Sequence, residues 1–201
     1  ETAAREVREE TGFEVQLGAP LGHIEYDLPD GRHKEVHYWT AEVTDEALDA
    51  HRFEPNDEVD ALEWMPIPAA QRALSYERDR DVLDVLAHRF ARGGERTVAV
   101  IALRHAKAVP PLAWPGSDSS RPITGRGQEQ AELLVPILRA FGPTRVITSD
   151  AVRCRATIAP FARATGILPD VTAAISQSAY DNGEDDVDEV IAGVIASRET
   201  T

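Results

Sequence analysis

The sequence has little cysteine, little positive charge and no long apolar run. Its single cysteine cannot form an internal disulfide or a multi-cysteine zinc site, which indicates a reducing compartment. The 21 lysines and arginines stand against 35 acidic residues, and the net charge of −14 disfavours nucleic-acid polymers and membrane surfaces as partners. No run approaches the roughly 20 apolar residues that span a bilayer. A small phosphorylated ligand is still compatible, because local arginines or a bound cation can reverse the field at one site.

The 201 residues divide at a glycine-containing segment. A hydrophobic fraction of 42% excludes wholesale disorder, and this length suits one domain or two of about 100 residues. The segment Ala-Arg-Gly-Gly-Glu at 91–95 separates two patterned halves, so we expect one domain at 1–91 and another at 96–201. The chain starts at Glu1 with a helix-forming stretch and has no initiator Met. We therefore expect it to begin partway through a domain.

Local patterns predict a mixture of helices and strands. In the first half, the predicted helices are residues 1–11 and 69–90, and the predicted strands are residues 13–17, 23–28, 35–43 and 59–65. In the second half, the run TVAVIAL at 97–103 is typical of a strand buried on both faces. The helices predicted after it are residues 127–141 and 151–165, with a strand at 145–148 between them. This order of elements predicts βαβ units.

Three carboxylates share one turn of the first predicted helix. Glu6, Glu9 and Glu10 are spaced i, i+3 and i+4, so they project from one face with neighbouring side chains about 5–6 Å apart. Such a group is tolerable when it is solvated or when a hard divalent cation lies among the carboxylates. Charge spacing alone favours an exposed acidic face.

The residues around these acids resemble the second part of the Nudix box, R-E-U-x-E-E-x-G-U. Arg5, Val7, Gly12 and Phe13 fill the remaining slots, while the box's opening glycine and first glutamate have no match. The resemblance implies Mg²⁺, or alternatively Mn²⁺, bound by Glu6, Glu9 and Glu10, which are also the implied catalytic residues. Segments 37–39 and 54–68 resemble later parts of the family, and Glu58 is the candidate for an additional metal ligand.

A second candidate site follows the apolar run at 97–103. Arg104 and His105 lie where the carboxyl end of a parallel strand would face a ligand crevice. Segment 121–131 resembles the R-P-L-T-x-x-G-x-x-Q-A segment of histidine phosphatases, and segment 148–157 resembles their S-x-x-x-R-x-x-x-T segment. The resemblance implies His105 as the phosphoryl-accepting nucleophile, with Arg104 and Arg153 binding phosphate. The family's second histidine has no match, since no histidine follows His105.

Two further features receive no catalytic role. Cys154 lacks the arginine that a Cys-x5-Arg phosphatase loop needs, because position 160 is proline, so we interpret it as a packing residue. His33 and His37 are four residues apart and would lie about 13 Å apart in a strand. That distance is too long for the pair to share one ion, and no metal is assigned to it.

Together the two halves resemble the two-domain MutT-type proteins of bacteria. The implied fold is α/β: a Nudix α/β/α sandwich with a mixed sheet, lacking its amino-terminal part, followed by a histidine-phosphatase-like α/β/α domain lacking its carboxyl-terminal part. The implied function is Mg²⁺-dependent hydrolysis of nucleoside polyphosphates such as 8-oxo-dGTP in the cytoplasm. Alternatives are a non-catalytic remnant that binds phosphorylated ligands, and a dinucleoside polyphosphate hydrolase. The sequence predicts neither the base preference nor the oligomeric state.

Overall fold

A computed structural model of the protein describes residues 1–94, 97–197 and 200. The chain divides into two compact units, Glu1–Thr97 and Val98–Thr201. Both units mix helices with small sheets, so the predicted α/β class is confirmed. Within the described residues, every helix is too short or too polar to span a bilayer.

The described residues of the first unit form four helices and one β-hairpin. Its elements are α1 (Thr2–Thr11), β1 (Gln16–Asp27), β2 (His33–Glu42), α2 (Asp45–Ala50), α3 (Ile67–Ala73) and α4 (Glu77–Ala91). The helix predicted at 1–11 is confirmed. The two strands predicted at 13–17 and 23–28 form a single long strand, β1.

The hairpin closes through a tight turn at 28–32. The Gly31 N–H donates to the Leu28 carbonyl at 2.8 Å, and the Leu28 N–H donates to the Arg32 carbonyl at 2.8 Å. Gly31 has φ +82°, a left-handed conformation that favours glycine. Strands β1 and β2 then pair antiparallel, with His23 opposite His37.

Alternation along the hairpin separates an apolar face from a polar one. Ile24 and Tyr26 are partly buried, whereas the residues between and beside them are exposed. Helix α4 packs on the apolar face, where the Arg78 guanidinium lies 4.3 Å from the centre of the Tyr26 ring. Burial is the main cause that raises the pKa of Tyr38 on the same face.

Two predictions in this unit are wrong. Residues 59–65 form no strand, because the described part of the unit gives them no neighbouring strand with which to pair. The helix predicted at 69–90 is two helices, α3 and α4, separated by extended backbone at Leu74 and Tyr76. The Arg80 guanidinium donates to the Leu74 carbonyl at 2.6 Å, so the end of α3 is satisfied without helix continuation.

The second unit surrounds a parallel strand pair with helices. Its elements are α5 (Gly125–Phe141), β3 (Ile147–Ser149), α6 (Val152–Thr165), β4 (Asp170–Thr172), α7 (Gln177–Asn182) and α8 (Val187–Ser197), after two short 3₁₀ turns at Pro111–Ala113 and Asp118–Ser120. Strands β3 and β4 pair in parallel through α6, so the unit contains a βαβ arrangement. It is not the predicted one, because β4 was not among the predicted strands and the strand predicted at 97–103 does not form. The core consists of Leu138, Val146, Ile158 and Phe161.

The strand predicted at 97–103 is not present. Val98 and Val100 are 42% and 52% exposed, which is incompatible with burial on both faces. Ile101 nevertheless packs against the core of the second unit. A buried strand needs hydrogen-bonded neighbours, and in the described residues β3 pairs only with β4.

Candidate functional site

The three predicted glutamates lie on α1 and are at least partly exposed. Arg5 contacts two of them: its guanidinium binds the Glu6 carboxylate and lies 2.5 Å from the Glu9 carboxylate. The hydrogen bond to Glu9, together with the charges of both carboxylates, raises the pKa of Arg5. The arginine of the motif therefore offsets part of the repulsion within the group that includes Glu10.

Gly12 ends α1 for two physical reasons. It has φ +77°, and its N–H donates to the Arg8 carbonyl at 2.9 Å. A Cβ at this position would lie less than 3.0 Å from the His51 ring. That ring donates through Nε2 to the Thr11 carbonyl at 2.9 Å and packs edge-on against Phe13, with ring centres 4.6 Å apart. The glycine and phenylalanine of the motif thus allow the segment at His51, which follows α2, to pack against the end of the glutamate helix.

Asn56 links the loop that carries Glu58 to the same helix end. Its Nδ2 donates to the Glu10 carbonyl at 3.0 Å. Its Oδ1 accepts from the backbone N–H groups of Glu58 and Val59, both at 2.9 Å. Because one side chain closes the loop and also binds the last turn of α1, Glu58 is held at the carboxyl end of that helix.

The donor set fits a hard divalent cation, although the oxygens do not yet converge. Carboxylates are the ligands such ions prefer. Within the described part of the chain, the Glu10 and Glu58 carboxylates have no ion-pair or hydrogen-bond partner, so both are available to a ligand. No three of the four acids bring oxygens within 4.8 Å of one another in the described residues.

In the second unit, His105 is partly buried and its ring orientation is defined. Its Nδ1 lies 2.8 Å from the Ala106 carbonyl oxygen. Since a carbonyl only accepts, Nδ1 carries the proton, and the lone pair of the neutral ring is on Nε2. The Ala106 N–H donates to Thr157 Oγ1 at 2.9 Å, and that hydroxyl donates to the Arg153 carbonyl at 2.7 Å. These bonds attach the segment that contains His105 and Ala106 to helix α6. The neighbouring residue Arg104 is exposed.

The T-x-x-G-x-x-Q part of the second motif binds the backbone two residues after His105. The Thr124 N–H donates to the Lys107 carbonyl at 2.8 Å, and Gln130 Oε1 accepts from the Lys107 N–H at 2.9 Å. The Thr124 hydroxyl also caps α5 by accepting from the Gly127 N–H. A Cβ on Gly127 would lie less than 3.0 Å from the Lys107 carbonyl oxygen, so glycine permits this close approach.

Arg153 is buried in an ion-pair cluster with Asp118. Its Nη2 lies 2.8 Å from Asp118 Oδ2, and its Nη1 donates to the Asp118 carbonyl at 2.7 Å. Arg121 is also buried and donates to Asp118 Oδ1 through Nε at 3.0 Å and Nη2 at 2.8 Å. The hydrogen bond from Arg121, helped by the charge of Arg153, lowers the pKa of Asp118. Both terminal nitrogens of the predicted phosphate-binding Arg153 are therefore engaged by Asp118.

Sequence reasoning assigned no role to three residues that organise these sites. Asn56 carried an available signal, since Asn-Asp segments favour side-chain-closed turns. Asp118 and Arg121 are spaced i, i+3 across a short 3₁₀ turn, a spacing that brings such side chains together.

Cys154 is half-buried, and burial raises the pKa of its thiol.

Both motif-bearing segments match known domain families. Residues 1–86 match the NUDIX domain, and residues 100–192 match the histidine phosphatase superfamily (branch 1). The first range includes the glutamate helix and the Glu58 loop, and the second includes His105, Arg153 and Asp118. The two family resemblances inferred from the sequence are confirmed.

Individual proteins are similar to parts of this chain. An 8-oxo-(d)GTP phosphatase of Mycolicibacterium smegmatis is 41% identical over 178 residues, covering 89% of this chain and 52% of the relative. The "Putative mutator protein MutT4" of Mycobacterium tuberculosis is 32% identical over 144 residues, covering 68% and 51%. A crystal structure of the "putative phosphohistidine phosphatase SixA" from Agrobacterium tumefaciens is 25% identical, covers 53% of this chain and 66% of that one, and has a TM-score of 0.42. The chain spans about half the length of the curated relatives.

Proposed function

We propose that this chain, which carries a NUDIX domain followed by a histidine phosphatase superfamily domain, belongs to an enzyme that hydrolyses nucleoside polyphosphates. Oxidised purine nucleotides such as 8-oxo-dGTP are the proposed substrates. The observation that carries this proposal is the glutamate helix α1 with the Glu58 loop tied to its end by Asn56. The name of the 41% identical relative supports the substrate class.

Nudix hydrolases use divalent metal ions, and we propose Mg²⁺, with Mn²⁺ as the substitute, held by Glu6, Glu9, Glu10 and Glu58. When bound, the ion supplies positive charge to the polyphosphate oxygens and lowers the pKa of a bound water. Arg5 pairs with Glu6 and Glu9 and offsets part of their mutual repulsion before the ligands arrive. One of the helix glutamates orients the attacking water or takes its proton.

The same proposal includes the location and the partner. A strongly acidic chain repels nucleic-acid polymers and anionic membranes, so the nucleotide ligand is a small molecule whose charge is offset locally. The single cysteine and the nucleotide-pool substrate favour the cytoplasm. The domain ranges 1–91 and 96–201 are part of this proposal.

Replacing single glutamates on α1 tests the metal site. In the full-length natural product, Glu9→Gln and Glu10→Gln should each reduce Mg²⁺-dependent hydrolysis of 8-oxo-dGTP by at least about 100-fold, because each removes a negative ligand without changing side-chain size. The matched control is Glu14→Gln, since Glu14 lies just beyond the helix and is 86% exposed. Unchanged turnover in both helix variants would refute the assignment.

Calorimetry and a substrate panel separate the alternatives. Nucleotide binding with Mg²⁺ but without phosphate or pyrophosphate release would indicate a non-catalytic phosphate-binding remnant. Faster turnover of dinucleoside polyphosphates than of 8-oxo-dGTP would indicate the dinucleoside polyphosphate hydrolase instead. Preference for 8-oxo-dGTP over dGTP supports the proposed function.

For the second unit we propose phosphoryl transfer to His105. The observation behind it is the hydrogen bond that places the proton on Nδ1 and leaves Nε2 with its lone pair. Nε2 forms the N–P bond while the bond from phosphorus to the leaving oxygen breaks, and that oxygen takes a proton from water. A water molecule then attacks phosphorus and the N–P bond breaks, which releases inorganic phosphate and restores the imidazole. Arg104 and Arg153 are the proposed phosphate-binding residues. The terminal nitrogens of Arg153 contact Asp118, so they must leave Asp118 before they can bind phosphate.

Acid-stable and acid-labile phosphate measurements test this second proposal. Incubation with a labelled phosphomonoester should give an acid-labile phosphoprotein, and His105→Asn should abolish it. His88→Asn should leave it unchanged, since His88 is an exposed residue of α4 in the first unit. Equal labelling of wild type and His105→Asn would contradict the assignment.

A further inference from the structure

One face of the β1–β2 hairpin carries only imidazole and carboxylate side chains between the turn and the histidine pair. Alternation places every second residue of each strand on this face, opposite the face that helix α4 covers. All six side chains are exposed. They are His23, Glu25 and Asp27 on β1, and His33, Glu35 and His37 on β2.

Three of these side chains are close enough to share one ion. His23 lies directly opposite His37 in the ladder, with ring centres 5.5 Å apart. Glu35 Oε1 lies 2.9 Å from His37 Nε2. One ligand atom from each of His23, Glu35 and His37 lies within 4.8 Å of the other two, the one such group among the described residues.

The geometry needs only a small adjustment to bind an ion. With zinc–nitrogen and zinc–oxygen bonds of about 2.0–2.2 Å, the ligand atoms of a tetrahedral site are about 3.3 Å apart. The pair formed by Glu35 and His37 is already near this separation, and His23 approaches by rotation of an exposed side chain. The hairpin backbone stays fixed, since its other face packs on α4 through residues such as Tyr26.

We propose that His23, Glu35 and His37 form a binding site for a transition-metal ion of the zinc class. Two imidazoles and one carboxylate suit Zn²⁺, Ni²⁺ or Cu²⁺ and not Mg²⁺, which prefers oxygen ligands alone. Glu25 Oε1 lies 3.4 Å from His23 Nε2 and supplies either a fourth ligand or the partner that orients the ring. This site shares no residue with the glutamate helix, so it does not depend on the proposed hydrolysis.

His33 provides a matched control on the same face. Its Nδ1 lies 3.0 Å from Asp27 Oδ1, at the turn end of the hairpin. It belongs to no group of three metal-ligating atoms in the described part of the chain. Its Nε2 lies 3.9 Å from Glu25 Oε2, so replacing it changes the number of histidines on this face and leaves His23, Glu35 and His37 in place.

The test is a calorimetric titration of the chain with Zn²⁺, carried out first with Zn²⁺ alone and then in excess Mg²⁺. The Mg²⁺ occupies sites that offer only oxygen ligands. We expect one ion per chain, and at least about tenfold weaker binding in His23→Asn and in His37→Asn. His33→Asn should bind as the wild type does. Co²⁺ should give the visible absorption of a four-coordinate site, and the two ligand variants should lose it. Circular dichroism without metal should be unchanged in all three variants, because the side chains are exposed.

Three outcomes would overturn the proposal. The first is the absence of Zn²⁺ binding in excess Mg²⁺, and the second is equal Zn²⁺ affinity in all three histidine variants. The third is that Glu10→Gln loses Zn²⁺ binding while His37→Asn retains it. The last outcome would place the ion at the glutamate helix. Failure of the hydrolysis assay leaves these measurements unaffected, so the two proposals succeed or fail separately.

Discussion

In the first unit the candidate site residues lie on an exposed helix, whereas in the second unit the candidate phosphate-binding arginine is buried and bonded to its neighbours. Phe13 and Leu17 are the buried apolar side chains in the described part of the first unit. The second unit has a continuous core in which Phe161 is 1% exposed. The acids of the first unit therefore depend on a ligand to bring them together, while the second unit holds Arg153 in place without one.

This contrast predicts where substitutions affect stability. An exposed ion pair contributes little, because water screens it and two long side chains lose freedom when they are held together. Removing one partner from a buried cluster costs more, since the remaining charge is left without a partner in a medium of low dielectric. We therefore expect charge substitutions in the second unit to destabilise and those on α1 to act on ligand binding alone.

The largest expected effect is that of Asp118→Asn. The substitution leaves Arg121 and Arg153 without a negative partner, at a cost of about 2 kcal/mol near neutral pH. The 41% exposure of the Asp118 side chain keeps this below the cost at a fully buried pair. Urea unfolding followed by circular dichroism measures the difference from the wild type.

The pH dependence of that difference identifies its cause. The folded-state pKa of Asp118 is lowered, so its stabilisation is complete above the unfolded value of about 3.9 and is lost as the pH falls through the folded value. The wild type should therefore approach Asp118→Asn in stability below about pH 4. A destabilisation of equal size at every pH would show that packing, and not charge, is responsible.

The next effect is expected at Gly127. Gly127→Ala places a methyl group against the Lys107 carbonyl and displaces the segment after His105, at a cost of about 1–2 kcal/mol. Gly125→Ala is the matched control, because no atom lies within 4 Å of a Cβ added there. Urea midpoints of the two variants measure the difference, and equal midpoints would show that the close approach relaxes without cost.

The smallest effect is expected on α1. Arg5→Gln removes the partner of Glu6 and Glu9, but all three side chains are exposed. The urea midpoint should therefore not change measurably, whereas Mg²⁺ affinity measured by calorimetry should change. A shift in the midpoint comparable to that of Asp118→Asn would remove the distinction between the two units.

The sequence was most informative where residues interact with near neighbours along the chain. The α1 helix with its Gly12 end, the turn at 28–32 and the α5 and α6 helices follow from local patterns that need no distant partner. Motifs shared with the two families identify both candidate sites from the sequence.

Prediction failed where the outcome depends on distant contacts. The runs at 59–65 and 97–103 have the composition of strands, but a strand forms only beside a partner, and composition does not show whether one exists. The trio of His23, Glu35 and His37 was missed for a related reason. The spacing of His33 and His37 was considered along one strand, while the contact that matters crosses to the other strand and depends on the register.

The short turn of the hairpin has a consequence well beyond its own residues. Side chains alternate with a period of two, so one additional residue between Leu28 and Arg32 would offset the strands by one position. If the turn keeps its length, His23 would then face Val36 or Tyr38, which lie on the apolar side, and the imidazole pair would separate. The length of this turn therefore determines whether the two imidazoles lie opposite each other. An insertion that leaves every histidine in the sequence can still separate them.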